Sequence, residues 1–161
     1  MIHLIYKFNK TILNMKKAII WDWVGTLYKR KKGLYPFTKK VLQELKSRGY
    51  KFGLVSLTKI GVEARKEELN SSGIMHYFDS IIIDTCKTPE HYKRCMKEMG
   101  TTLEDTIIVD DRTIRGIKIG NKIGCETYWI QKGEHSQEIP NPKTGEPTYR
   151  IDSIKDLLDL L

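Results

Sequence analysis

The sequence predicts a three-layer α/β sandwich, with helices covering both faces of a parallel central sheet of about five strands. Three observations predict it. Short apolar runs, Ala18-Ile19-Ile20-Trp21 and Ile81-Ile82-Ile83 among them, read as strands buried on both faces. Stretches of helical length and periodicity separate these runs, the alternation that a parallel sheet requires. Polar residues stand at the ends of the runs: Asp22, Ser56, Lys87 and the pair Asp110-Asp111. In a parallel sheet such points share one edge, where open α/β sheets place their ligands. A chain of 161 residues, 40% of them hydrophobic, suits one domain with a real core and excludes a disordered chain.

The elements follow in order. Residues 1–14 have no continuous apolar region and no small-residue cleavage site, so they make a poor signal peptide. Met15-Lys16-Lys17 precedes the first strand as an alternative start would. Residues 1–14 are then a short extension, and 15–161 a single domain. The first strand stops at Asp22. Gly25 allows a tight turn, so that the amides after Asp22, those of Trp23 and Val24, can converge on an anion.

Tyr28–Gly33 is a basic loop, and Tyr35-Pro36 leads into a helix over Thr38–Arg48, with Val41, Leu42 and Leu45 on one face and Gly49 as its stop. Lys51–Ser56 is the second strand, and Lys59–Asn70 a charged amphipathic helix. Ile81–Asp84 is the third strand. The next helix opens at Thr88-Pro89 and closes at Gly100. Thr106–Val109 is the fourth strand, Thr113–Ile123 a helix, and Glu126–Ile130 the fifth strand. Gly133–Pro147 carries three of the five prolines and reads as a surface loop. Tyr149–Ile151 adds a short edge strand, and Ser153 caps a last helix that runs to Leu161.

Lys and Arg number 28 against 20 Asp and Glu, a formal charge of +8. That excess suits phosphate esters or nucleic acid, or is a plain solubilising surface. No aromatic-interleaved basic motif supports nucleic-acid binding. Cys86, Cys95 and Cys125 form no CxxC, which points to small reduced thiols and a cytoplasmic protein rather than a disulfide or zinc framework. No apolar run approaches the roughly 20 residues of a membrane span. The four histidines, His3, His76, His91 and His135, show no ligand spacing. Trp21, Trp23 and Trp129 read as core or crevice wall.

Asp22-Trp23-Val24-Gly25-Thr26-Leu27 resembles the first signature of the haloacid dehalogenase-like phosphohydrolase superfamily, usually Asp-x-Asp-Gly-Thr-Leu. Val24 replaces its second aspartate. The order Asp22, Ser56, Lys87, Asp110-Asp111 is similar to the superfamily's four motifs, over nearly the whole chain. Receiver domains use similar residues, but they begin with the acid pair and end with the lysine. The resemblance implies a Rossmann-like sheet of order 5-4-1-2-3 and makes Asp22 the nucleophile of an aspartyl-phosphate mechanism. It implies Mg²⁺ held by Asp22, the Val24 carbonyl and Asp111, oxygen ligands of the kind Mg²⁺ prefers. Asp110, standing where the common Gly-Asp-Ser version has glycine, is the less direct of the pair. Ser56, with Thr58 as the fallback, donates to a phosphate oxygen, and Lys87 balances the charge.

The intervals from Thr26 to Ser56 and from Ser56 to Lys87 each hold one helix, whereas an independent domain needs roughly 50 residues. The resemblance is therefore to capless members, which often act on large phosphorylated substrates. The substrate itself, a phosphorylated small molecule or macromolecule, and the oligomeric state are not legible. Arg112 and Arg115 read as surface arginines at the start of a helix. Three functional readings stand: a phosphohydrolase slowed by Val24, a degenerate phosphate-binding or interaction module of the same fold, and nucleic-acid binding without chemistry.

Overall fold

The structure is a computed structural model and describes residues 15–161. The extension over residues 1–14, with His3, lies outside the described residues. β1 (Ala18–Trp21) is the central strand. Its alternation decides the two cores: Ile19 and Trp21 face one layer, Ala18 and Ile20 the other, and all four are fully buried.

After β1 come a hairpin, β2 (Tyr28–Lys29) and β3 (Gly33–Leu34), then α1 (Thr38–Ser47). β4 (Lys51–Leu57), α2 (Val62–Ser71), β5 (Ser80–Asp84) and α3 (Pro89–Met99) follow. β6 (Thr106–Asp110) leads through a π-helical turn, Thr113–Ile117, into α4 (Lys118–Ile123). β7 (Glu126–Ile130), β8 (Tyr149–Ile151) and the short α5 (Leu157–Leu160) complete the described chain.

The main sheet is parallel throughout, in the order β5-β4-β1-β6-β7-β8. It has six strands rather than about five, because Tyr149–Ile151 pairs beside β7. Taken from the β7 side, the other five strands lie as 5-4-1-2-3 in the numbering of the five expected strands. One apolar layer packs Leu42 and Leu45 of α1 and Leu69 of α2 against Trp21, Phe52, Leu54 and Val109. The other packs Tyr92, Cys95 and Met96 of α3 and Ile119 of α4 against Ile20, Val55 and Ile108.

The basic loop forms a hairpin whose tip is held by Lys32 N–H donating to the Lys29 carbonyl at 2.9 Å, with Lys31 at φ 61°. Three local expectations need correction. α2 starts at Val62 rather than Lys59. Thr58 Oγ accepts from the Ile60 amide at 3.1 Å and donates to the Gly61 carbonyl at 3.2 Å, a side-chain turn that competes with helix. The helix after β6 opens as a π-helical turn, for a reason found in the site. The last helix opens as a 3₁₀ turn, Ile154–Asp156, before α5. Of the three thiols Cys95 and Cys125 are buried, but Cys86 is exposed.

Candidate active site

β1, β4 and β6 end at the same edge of the sheet, and Lys87 reaches that edge from the segment between β5 and α3. Lys87 Nζ lies 2.6 Å from Asp22 Oδ1 and 2.8 Å from Asp110 Oδ2, with 2% of its side chain exposed. Oxygens of Asp22, Asp110 and Asp111 lie within 4.8 Å of one another. Ser56 is buried near the end of β4, and Thr26 Oγ donates to Asp22 Oδ2 at 3.2 Å. Thr58, the fallback for Ser56, is occupied by its own turn.

The two acids of the pair differ in what they do. Asp110 is fully buried, and both of its oxygens are engaged. Oδ1 accepts from the Arg112 amide at 2.8 Å, and Oδ2 from the Gly116 amide at 3.1 Å as well as from Lys87. These bonds wind Thr113–Ile117 inward, and a Cβ on Gly116 would overlap the Asp110 carboxylate. Asp111 Oδ1, by contrast, is buried with no hydrogen-bond partner among the described residues. The Trp129 indole N–H donates to the Asp111 carbonyl at 3.1 Å and holds that residue in place.

One ammonium among three carboxylates leaves surplus negative charge. Burial alone would lower Lys87, but Asp110 and Asp22 outweigh it and hold the ammonium well above its ordinary value. Burial, then Asp22 and Asp110, push the Asp111 carboxyl up to about 9. Burial and Asp110 also raise Asp22, against the pull of Lys87. An unpartnered buried carboxylate oxygen beside two more carboxylates is the donor set of a hard divalent cation. Gly25, at φ +92°, leaves the space: a Cβ there would overlap the Asp111 carboxylate.

The haloacid dehalogenase-like hydrolase profile matches residues 2–130, most of the chain. The chain belongs to that family. It is 32% identical over 133 residues to a glyceraldehyde 3-phosphate phosphatase of Methanocaldococcus jannaschii, covering 79% of this chain and 56% of that one. The chain thus spans little more than half the length of that haloacid dehalogenase-like relative. In fold it is similar to an uncharacterised protein of Listeria monocytogenes, with a TM-score of 0.74, 18% identity, and coverage of 89% of this chain and 96% of that one. A haloacid dehalogenase phosphatase of Thermococcus onnurineus gives a TM-score of 0.72 at 16% identity, covering 89% and 97% of the two chains.

Of the two readings for Trp23, core or crevice wall, its side chain takes the first. Trp23 is fully buried, stacked on Tyr28 at 4.9 Å, and its indole N–H donates to Glu68 at 2.7 Å. Arg112 and Arg115, expected on the open surface, instead line a cleft of about 550 Å³ that begins at Asp22 and Val24. Lys59, Arg65 and His135 line it too, and none of them was singled out by sequence reasoning. Burial, then Arg112, hold the His135 imidazole below its ordinary value. A charged residue on a short amphipathic helix carries no sign of which end of the sheet it faces. His76 and His91 do not line the cleft, and His91 bonds Asp84 at 3.1 Å and the Thr88 amide at 3.2 Å.

Proposed function

We propose that the chain is a Mg²⁺-dependent phosphohydrolase that works through an aspartyl phosphate on Asp22, and that Val24 makes it slow. The observation that carries this reading is Lys87 bridging Asp22 and Asp110, with the unpartnered oxygen of Asp111 beside them. Asp22, the Val24 carbonyl and Asp111 hold the cation, while Asp110 anchors Lys87 and the π-helical turn. When bound, Mg²⁺ screens the repulsion between the carboxylate and the phosphate it must meet.

The protein's own groups supply the rest. Lys87 favours the ionised form of Asp22 against burial and Asp110 and orients it, and Thr26 holds its second oxygen. Asp22 attacks phosphorus, the ester P–O bond breaks, and the leaving alkoxide takes its electron pair. The amides of Trp23 and Val24 and the hydroxyl of Ser56 hold the phosphoryl oxygens. Water then attacks phosphorus, releasing inorganic phosphate and restoring the Asp22 carboxylate. Both steps lack the proton carrier that relatives keep where Val24 stands. That help is typically worth ~10²–10⁴-fold.

Between β1 and β4 lie only the hairpin and α1, and between β4 and β5 only α2 and a short 3₁₀ turn. This supports a single domain without a cap and an open cleft, suited to a phosphorylated small molecule or the exposed phosphate of a larger one. No helix among the described residues is long and apolar enough to cross a membrane. The test is phosphate release from an aryl phosphate in Mg²⁺, lost in Asp22→Asn and on chelation. If neither the wild type nor a folded, Mg²⁺-binding Val24→Asp releases phosphate, the degenerate phosphate-binding module is the better account.

A further inference from the structure

The cleft that begins at Asp22 is walled by more positive charge than one phosphoryl group requires. Arg112 is spoken for, since its Nε lies 2.6 Å from Glu138 Oε2. Lys31, Lys59 and Arg115 line the same cleft and enter none of the ion pairs formed among the described residues. Lys31 and Lys59 are exposed, one at the hairpin tip and the other between β4 and α2.

Arg65, in the first turn of α2, is different in kind. It is 6% exposed, yet it lines the cleft. Its Nη1 lies 3.2 Å from Glu68 Oε1, but that oxygen already accepts from the Trp23 indole at 2.7 Å. The Nε and Nη1 hydrogens of Arg65 have no acceptor among the described residues. A buried donor without an acceptor is costly, and a guanidinium holds several N–H donors in a fixed plane that suits an oxyanion. The Glu68 carboxylate explains why the charge of Arg65 is tolerated in the core. It does not use those donors.

We propose that Arg65, with Lys59 and Lys31 beside it, holds a second anionic group on the substrate, a carboxylate or phosphate on the same molecule as the ester being cleaved. This rests on the phosphohydrolase reading and names its substrate class: phosphate monoesters with a second oxyanion. The first oxyanion sits at Asp22 and Lys87 and is transferred. The second is held by the α2 and hairpin side of the cleft and stays with the leaving group.

The test compares phenyl phosphate with derivatives bearing a carboxylate or a phosphonate on a one- to three-carbon arm, which insulates the reacting oxygen electronically. The wild type should prefer one of the two series bearing a second anionic group by about tenfold or more in kcat/KM, the weight of one charge-assisted hydrogen bond. Which series wins distinguishes carboxylate from phosphate. The ratio between substrates is the readout, not either rate. Arg65→Gln should erase most of that ratio. Because Arg65 is buried, Lys31→Gln combined with Lys59→Gln on the exposed wall provides a second variant, which should lower the ratio without threatening the fold.

No preference in the wild type, or a preference unchanged in both folded variants, overturns the proposal. If no ester turns over, the phosphohydrolase reading fails separately. Equilibrium binding of the same compounds to the Mg²⁺-loaded wild type then reads the second site alone: tighter binding of a compound with the second anionic group, weakened by the Lys31/Lys59 variant, sustains it, and equal binding ends it.

Discussion

At the scale of single residues, the proposed phosphohydrolase reaction turns on Val24. An aryl leaving group departs without a proton, so attack by Asp22 on an aryl phosphate is little affected by the missing acid. In that proposed mechanism hydrolysis of the aspartyl phosphate would be affected, because its attacking water has no base. A phosphorylated protein should therefore build up on rapid quenching, and Val24→Asp should shorten its lifetime by at most the ~10²–10⁴-fold of general acid/base catalysis. A phosphoenzyme equally long-lived in both proteins would show that Val24 is not the cause. The acid pair makes a second test. Asp111→Ala removes an unpartnered buried carboxylate and should weaken Mg²⁺ binding in calorimetry with little loss of stability in the metal-free protein. Asp110→Ala strips acceptors from two amides and Lys87, and it should lower unfolding stability toward the lower end of the ~3–5 kcal/mol of a broken buried pair, because Asp22 still faces the ammonium. The reverse ranking would exchange the roles of the two acids. That Asp22, Lys87 and the acid pair belong together was legible because each follows a continuously apolar strand. The division of labour within the pair was not, since it depends on where the amides of Arg112 and Gly116 point.

At the scale of elements, short polar ties hold the strands to what surrounds them. Asp79, just before β5, accepts from the Phe52 amide of β4 at 2.9 Å and from Lys46 of α1 at 2.9 Å. Burial pushes its carboxyl up, but the Phe52 N–H and Lys46 outweigh it and leave it below the ordinary value. A carboxyl depressed in the folded state contributes stability above its unfolded pKa, and that stability is lost as pH falls through the folded value. Asp79→Asn should therefore flatten the acid side of the stability profile, measured by urea unfolding at stepped pH. A parallel loss of stability at every pH would mean that the hydrogen bond rather than the charge matters. Glu138 ties the 131–148 segment to the turn after β6, accepting from Thr113 Oγ at 3.2 Å and the Ile114 amide at 3.0 Å as well as pairing with Arg112. Sequence patterning could find neither device. It registers hydrophobic period and helix stops, and so it placed the strands, α1 and α3 closely. The turn chemistry of Thr58 and the pull of Asp110 on Gly116 are side-chain to backbone bonds, invisible to period, and they account for the late start of α2 and the π-helical turn.

At the scale of the whole molecule, the +8 charge is unevenly placed, with Arg30 and Lys31 of the hairpin tip facing the cleft that holds Asp22. For a fast enzyme such charge would act by steering encounters. A slow one behaves differently: if chemistry is slower than substrate release, KM approaches the dissociation constant, and the hairpin charges act through equilibrium binding instead. Neutralising Lys29, Arg30, Lys31 and Lys32 to Gln should then raise KM for an aryl phosphate by more than it lowers kcat. The rise should shrink as ionic strength passes the point where the Debye length falls below about 10 Å, near 0.1 M. Because all four side chains are exposed, the fold should tolerate the change, and circular dichroism and the urea midpoint provide that check. The same measurement on Val24→Asp sharpens the argument. If the restored acid makes chemistry fast enough to compete with release, the effect of the hairpin should move from KM toward kcat/KM limited by encounter, and the viscosity dependence of kcat/KM should rise with it. A hairpin effect independent of salt in both backgrounds would show that the tip contributes shape rather than charge.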